Sequence, residues 1–320
     1  MKLLVAGGAG FIGNEVCGQL LAQGHQVLCV DNLITGNLDN VERLSHLPDF
    51  EFRRQSVEDV EATPVDVIIN VASPASPTDF DRIPLEIMRA NVLGTWRLLE
   101  VARETGASFL FASSSEVYGE AAVHPQPEGY FGNVDPTGPR ACYDESKRIG
   151  ETLVATFVRS YSVRARIIRI FNTYGPRMRP DDGRVVPEFI TAALEGRPLV
   201  LHGGGRQTRS FCFVDDLVRG ILQVALDPNN AGEVFNLGNP TEITVRHLAE
   251  TVIRIAGSRS ALADGETRPQ DPSRRRPDIA KVTTRYGWEP AIGLEEGISR
   301  TVAWFSDQSA ATSSSSVRRT

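Results

Sequence analysis

The chain begins Met-Lys-Leu-Leu-Val-Ala and passes at once into Gly7-x-x-Gly10-x-x-Gly13, and Phe11–Gln23 carries apolar residues at helical spacing. A short apolar strand, a glycine turn and a helix in immediate succession constrain the fold more than any other feature. Glycines there let the backbone turn tightly and approach a ligand, and the amides of the loop and helix N-terminus form a seat for a pyrophosphate. The alternative is a glycine-rich turn with no ligand, and the strand before it and the helix after it favour the cofactor seat. Gln26–Val30 reads as a second strand ending in Asp31, 18 residues after Gly13. A carboxylate there accepts both ribose hydroxyls of a dinucleotide and repels a 2′-phosphate, which favours NAD over NADP.

Val65–Val71, Ser108–Ala112 and Ala165–Ile170 read as further buried strands, separated by helical patterns, of which Pro84–Glu104 and Tyr143–Ser160 are the long ones. This alternation predicts an α/β fold, a doubly wound parallel sheet of Rossmann type. Ligands of such sheets sit beyond the carboxyl ends of the strands, where Asp31, Ala72, Ser113 to Glu116 and Asn172 fall. Residues 1–176 are expected to form the NAD-binding domain. From Arg177 onward, prolines and glycines such as Pro180, Gly183, Gly203 to Gly205 and Pro240 break the chain into short elements. Residues 177–305 therefore read as a smaller C-terminal substrate lobe, with Glu233–Leu237 rejoining the main sheet. The segment 306–320, with its Ser313–Ser316 run, is polar and of low complexity, which predicts a disordered tail.

A formal net charge of −6 over 320 residues argues against a dedicated nucleic-acid surface. Cys17, Cys29, Cys142 and Cys212 are scattered without metal-ligand spacing and read as thiols of a reducing compartment. His25, His46, His202 and His247 likewise show no ligand spacing, and no metal is expected. The opening apolar run ends at Ala6, too soon for a signal peptide, and no stretch approaches the ~20 apolar residues of a membrane span. The expectation is a soluble, cytoplasmic protein with no membrane partner.

Tyr143-x-x-x-Lys147 lies about 130 residues beyond the glycine loop. Four residues are close to one helical turn, so both side chains share a face. An ammonium beside the phenol is expected to lower a pKa that is ordinarily about 10, so that the phenolate takes a hydroxyl proton while hydride leaves the same carbon. Ser113-Ser114-Ser115-Glu116 follows the fourth strand of this pattern and adds hydroxyls and a carboxylate at the sheet's carboxyl edge.

Longer motifs carry a resemblance. They are Gly-Gly-Ala-Gly-Phe-Ile-Gly (7–13), Asp31-Asn32, Pro74-Ala75-Ser76-Pro77, Ser115-Glu116-Val117-Tyr118-Gly119, His124-Pro125-Gln126 and Cys142-Tyr143-Asp144-Glu145-Ser146-Lys147-Arg148. Further on stand Arg169-Ile170-Phe171-Asn172-Thr173-Tyr174-Gly175-Pro176-Arg177-Met178, Asp182-Gly183-Arg184-Val185-Val186, Gln207-Thr208-Arg209-Ser210-Phe211, Asn236-Leu237-Gly238-Asn239-Pro240 and Arg275-Arg276-Pro277-Asp278-Ile279. The chain resembles the extended short-chain dehydrogenases/reductases of the nucleotide-sugar-modifying type, over about residues 1–305. Within them it is most similar to the UDP-glucuronate decarboxylase (UDP-xylose synthase) branch. Related 4,6-dehydratases carry Asp-Glu before Val-Tyr-Gly, and related 4-epimerases usually lack the Glu. Ser115-Glu116 is the decarboxylase-like pair. A 4-epimerase, a 4,6-dehydratase or a non-catalytic dinucleotide-binding protein of the superfamily is the alternative.

The resemblance implies NAD-dependent conversion of UDP-glucuronate to UDP-xylose. Oxidation at sugar carbon 4 gives a β-keto acid that loses carbon dioxide, and the same NADH then reduces the ketone. It makes Tyr143 the acid/base, Lys147 its tuner and ribose anchor, and Ser114 a hydrogen-bond partner of the phenol or the sugar 4-hydroxyl. Glu116, supported by Ser115, handles a proton near carbon 5, and Arg275 faces the sugar carboxylate and phosphates. Cofactor contacts are expected from Gly7, Gly10, Phe11, Ile12, Gly13, Asp31, Asn32, Thr35, Gly36, Val57, Ala72, Ala112, Thr173 and Arg184, besides Tyr143 and Lys147. Substrate contacts are expected from Pro74, Ser76, Asn91, Asn172, Val186, Arg209 and Arg275. Arg209 could instead pair with Asp215 or Asp216, and Arg275 could be a solvated member of Arg274–Arg276.

Four positions depart from the pattern: Ser56 stands where an Asp precedes Val57, Phe131 where a Trp is usual, Arg89 where a Lys is frequent, and Val71-Ala72-Ser73 for Leu-Ala-Cys. In relatives the outer faces of the two long helices pair across a two-fold axis, so a homodimer built through a four-helix bundle is expected.

Overall fold

The computed structural model describes residues 1–266 and 274–317. Six strands come first in chain order: β1 (Lys2–Ala6), β2 (Gln26–Asp31), β3 (Phe50–Arg54), β4 (Val67–Asn70), β5 (Ser108–Ser114) and β6 (Ala165–Ile170). With a later strand, Val234–Leu237, they form one parallel sheet in the spatial order Val234–Leu237, β6, β5, β4, β1, β2, β3. The order reverses between β1 and β4, which opens a crevice above their carboxyl ends.

The inner strands carry short apolar runs, such as residues 3–6, 67–69 and 109–112, because both faces of a parallel sheet are covered, while β6 also holds Arg166 and Arg169. Leu3, Val5, Val27, Cys29, Ile69 and Leu110 pack to one side with the helices Phe11–Ala22 and Val214–Leu226. Leu4, Leu28, Ile68, Phe109 and Phe111 pack to the other with the helices Thr95–Thr105 and Ala141–Tyr161.

Two elements differ from the sequence pattern. β3 was hidden because Phe50-Glu51-Phe52-Arg53-Arg54 lies at the sheet edge, half-buried and charged, and has no continuous apolar run. The long helical pattern 84–104 is three pieces, Pro84–Met88, a π-helical turn Arg89–Gly94, and Thr95–Thr105. At the widened turn Gly94 presses on Val57, where an added Cβ would come within 2.3 Å of the Val57 side chain.

In the second half of the chain, Thr208–Ser210 lies between Glu242–Thr244 and Arg274–Arg275 in a three-stranded sheet. That pairing sets Arg209 beside Arg275. The last helix runs Leu294–Val317, so the backbone stays helical through the serine run where composition pointed to a coil. Ile298, Thr301, Val302 and Phe305 bury its first half, and an anchored helix adds further residues at small cost. Residues 318–320 of that expected tail lie outside the described residues. Among the described residues, no helix is long and apolar enough to cross a membrane.

Candidate active site

A cavity of about 860 Å³ opens over the crevice between β1 and β4. At one end stands the glycine loop. Gly7 has φ +83° and lies so close to β4's end that a Cβ would sit 2.6 Å from the Ala72 Cα. A Cβ on Gly13 would fall 2.0 Å from the Gly7 carbonyl oxygen. These contacts press the loop against the sheet and leave its outer side open to the cavity. Gly10 caps the helix Phe11–Ala22 with no side-chain hydrogen bond and no acidic residue in the first turn, so the first-turn amides have no competing anion. Asp31 ends β2, and its carboxylate accepts from the backbone amides of Ala9 at 3.0 Å and Leu33 at 2.8 Å. Burial raises its pKa, and those two amides oppose the shift. Glycine cradle, free helix terminus and oriented carboxylate together fit a dinucleotide with an unphosphorylated ribose, which is NAD.

Tyr143, Lys147 and Glu116 line the same cavity. Tyr143 and Lys147 occupy one face of the helix Ala141–Tyr161, and both are buried. Tyr143 stacks on Phe80 at 5.2 Å between ring centres. Burial pushes its phenol up to about 12; a hydrogen bond with Ser114 and the charge of Arg184 pull it down, while Glu116 and Asp144 push it further up. Burial therefore opposes the lowering that the sequence pattern suggested for this phenol. Lys147 does not supply the lowering charge here: its ammonium donates to the Ala112 carbonyl at 2.9 Å, and burial brings its own pKa down to about 7 against the opposing charge of Glu151.

Glu116 follows β5 in a short 3₁₀ turn, whose N-cap hydroxyl, Ser114 Oγ, accepts from the Glu116 amide at 3.2 Å. Two arginines hold its carboxylate. Arg275 Nη1 donates to Oε1, and Arg140 Nη2 donates to Oε2 at 2.8 Å. Burial alone would raise this carboxyl, but Arg275 and Arg140 override it and hold the pKa at about 2. Glu116 is therefore a carboxylate at neutral pH. Arg275 is 6% exposed, which excludes a solvated role, and its Nη2 has no hydrogen-bond partner although it lines the cavity.

Most residues singled out in the sequence line this one cavity: Gly7, Gly10, Phe11, Ile12, Gly13, Asp31, Asn32, Thr35, Val57, Ala72, Pro74, Ser76, Ala112, Ser114, Ser115, Glu116, Tyr143, Lys147, Asn172, Thr173, Arg184, Val186, Arg209 and Arg275. Two stand behind it. Asn91 is fully buried and donates to the Ser146 hydroxyl at 3.0 Å, so it braces the Tyr143 helix instead of lining the substrate end. Gly36 packs on Asp31, where a Cβ would lie 2.8 Å from Oδ1. Some lining residues are also engaged within the protein: Ser76 caps the helix Pro77–Arg82 and hydrogen-bonds the Asp182 carbonyl, and Arg184 Nη2 meets Asp182 Oδ2 at 2.8 Å. Asp215 and Asp216 pair with Arg300 and Arg219.

Arg140 was missed. Its signal was present, since it stands one helical turn before Asp144 and three residues before Tyr143, but nothing local shows that Glu116 lies opposite it. Ser56 replaces a carboxylate without leaving a gap, because its hydroxyl accepts from the Asn32 side chain at 3.1 Å.

Known proteins resemble this chain in sequence and in fold. Residues 3–238 match the model of the NAD dependent epimerase/dehydratase family. UDP-glucuronic acid decarboxylase 1 of Danio rerio is 44% identical over 305 residues, which is 95% of this chain and 72% of that protein. UDP-glucuronic acid decarboxylase 5 of Arabidopsis thaliana is 44% identical over 93% of this chain and 87% of its own length. Among solved structures, the UDP-glucuronic acid 4-epimerase of Bacillus cereus, in complex with UDP-glucuronic acid and NAD, superposes with a TM-score of 0.88 at 27% identity, covering 96% of this chain and all of its own. The UDP-glucose 4-epimerase of Thermotoga maritima, with UDP-glucose, gives a TM-score of 0.88 at 31% identity over 96% of this chain and 99% of its own. A family model spanning most of the chain, relatives at 44% identity and an intact glycine cradle agree: this chain belongs to the NAD dependent epimerase/dehydratase family.

Proposed function

We propose that this protein is a UDP-glucuronate decarboxylase that forms UDP-xylose. The observation that carries the reading is Arg275, whose buried guanidinium pairs with Glu116 and keeps Nη2 without a partner, in the lining of the cavity that Ser114, Glu116 and Tyr143 also line. A substrate with an anionic substituent on its sugar satisfies that donor, and a planar fork suits a carboxylate. The names of the 44% identical relatives support the same substrate.

NAD, when bound, would supply the hydride acceptor for sugar carbon 4, the hydride that later returns there, and a positive charge that favours the phenolate. Tyr143 takes the 4-hydroxyl proton, with Ser114 sharing the hydrogen bond. The resulting 4-ketone stands β to the carboxylate on carbon 5. As the bond to the carboxylate breaks, its electrons enter the ketone and leave an enolate, whose oxygen the Tyr143 and Ser114 hydroxyls stabilise. Carbon 5 then gains a proton, so one proton is consumed for each carbon dioxide released. Glu116, ionised between its arginines, holds and orients the water that delivers it, and Ser115 supports the turn. The buried Ser114, Tyr143 and Lys147 exclude bulk water from the reactive intermediate. We assign the remaining lining residues as the sequence suggests, with the glycine-loop side and Asp31 to NAD and the Asn172, Val186, Arg209 and Arg275 side to the nucleotide sugar.

The proposal extends to assembly and location. Leu85, Met88 and Trp96 expose apolar side chains, as does Ile149 on the long helix Ala141–Tyr161 against which their helices pack. That face suits a homodimer through a four-helix bundle. Four unpaired cysteines suit the reducing cytoplasm.

The deciding experiment incubates purified protein with UDP-glucuronate and catalytic NAD, following carbon dioxide and the product's mass and NMR spectrum. UDP-xylose without net NADH supports the reading. Turnover of UDP-glucose or dTDP-glucose without carbon dioxide would replace it with an epimerase or dehydratase.

A further inference from the structure

The two arginines on Glu116 differ in how they are held. Arg275 comes from the two-residue strand Arg274–Arg275, reaches Glu116 through Nη1 and leaves Nη2 buried without a partner. Arg140 comes from the opposite side, at the N-cap of the rigid helix Ala141–Tyr161. Its Nη2 donates to Glu116 Oε2 at 2.8 Å, and its Nε stands 4.0 Å from Asp144 Oδ2, one turn into the same helix. Its guanidinium also lies 5.3 Å from the ring centre of Phe80, which stacks on Tyr143. Arg140 thus spans the carboxylate and the aromatic pair that fixes the phenol.

We propose that Arg140 is a positioning residue, the stationary half of a two-arginine clamp that keeps Glu116 in place and ionised while Arg275 turns to the anionic group of the sugar nucleotide. The proposal rests on the decarboxylase reading above. Its physical basis is the balance at Glu116. The groups facing that carboxylate are Arg275 from the strand side, and Arg140, Asp144 and Tyr143 from the helix and its cap. Burial, Asp144 and a phenolate at Tyr143 all favour its protonated form, and among the described residues it is Arg275 and Arg140 that oppose them. When Arg275 engages the substrate, Arg140 is the cation that remains. Without it Glu116 becomes a buried carboxylate with no counter-ion and takes up a proton, so it can no longer orient a water by accepting its hydrogen bond.

The test compares wild type, Arg140→Met and Arg140→Lys, each as full-length protein with NAD and UDP-glucuronate. In Arg140→Met the acidic limb of the pH profile for carbon dioxide release should move up by about one pH unit or more. Carbon dioxide release near neutral pH should fall on the order of 10-fold further than oxidation of the sugar, read as NADH absorbance, with KM changed by about twofold or less. Arg140→Lys should restore part of the limb, because it keeps the charge and loses the planar fork. A coincident pH limb in wild type and variant overturns the proposal, as does a rise in KM that accounts for the whole loss, which would make Arg140 a substrate contact. If Arg140→Met does not fold, Arg140→Lys carries the same comparison. Failure of the underlying reading is seen separately, as absence of carbon dioxide from wild type. In that event the ¹³C titration of the Glu116 carboxyl in wild type and Arg140→Lys still decides whether Arg140 holds the carboxylate ionised.

Discussion

Lys147 donates its ammonium to the carbonyl of Ala112 at 2.9 Å, and its Nζ stands 5.7 Å from the centre of the Tyr143 ring. The lysine is thus tied to the end of β5, at the edge of the cofactor seat, and is poised to be shared by whatever hydroxyl enters there. Burial brings its pKa down to about 7 against the opposing charge of Glu151.

That shift has a sign that can be measured. The folded pKa of Lys147 lies below its unfolded value of about 10.4, so between the two the unfolded chain binds more protons. Stability contributed by this site therefore rises with pH through that window, by at most about 1.4 kcal/mol per pH unit. Denaturant melts of ligand-free wild type and Lys147→Met at pH 7 and pH 9 should show wild type gaining on the variant. An unchanged difference would mean that Lys147 keeps its ordinary pKa.

Replacing Glu116 by Gln removes the carboxylate that two arginines face. Sugar oxidation should persist, giving NADH and a 4-keto species, while pentose formation falls by about 10²- to 10⁴-fold, the span of a lost proton-transfer group. Single-turnover absorbance at the NADH band, paired with NMR of the quenched sugar, separates the two steps. Equal loss of both would remove Glu116 from the second step.

Asp31 should set the cofactor preference. Its carboxylate is fixed by two backbone amides and would meet the 2′-phosphate of NADP as a like charge. Calorimetric titration should give tight NAD binding and weak NADP binding to wild type. Asp31→Ser should weaken NAD by roughly tenfold, about 1.4 kcal/mol, and narrow the ratio. Equal affinity of wild type for both cofactors would rule out the assigned role.

The apolar face of the paired helices makes a separate claim about assembly. Leu85→Asp with Ile149→Asp places two carboxylates at exposed positions of that face while leaving the core untouched. Sedimentation should change from dimer to monomer, with the chain still folded by circular dichroism. A dimer that survives the double change uses another surface.

The outcome of the sequence pattern differs from residue to residue for physical reasons. Gly7 and Gly13 were legible because the contacts that demand glycine, with Ala72 and with each other, follow from the strand–turn–helix itself. Buried strands such as β1 and β4 were legible because covering both sheet faces favours apolar runs, Leu3-Leu4-Val5-Ala6 and Val67-Ile68-Ile69. β3 was not, because an edge strand with Glu51, Arg53 and Arg54 has the composition of a loop. Asn91 looked like a substrate contact beside a helix, and only packing shows its amide turned to Ser146.

By itself, then, the sequence determined the parallel sheet and the NAD seat and nominated the groups that we propose to react, since local spacing and hydrophobic pattern suffice for each. Tertiary structure alone decided their charge states. The Tyr143 phenol is raised by burial instead of lowered by Lys147, and Glu116 is held ionised by Arg140, 24 residues away in the chain, and Arg275, 159 residues away. Ionisation inside a protein depends on desolvation and on charges a few ångströms off, and folding brings those charges from segments that no local pattern connects.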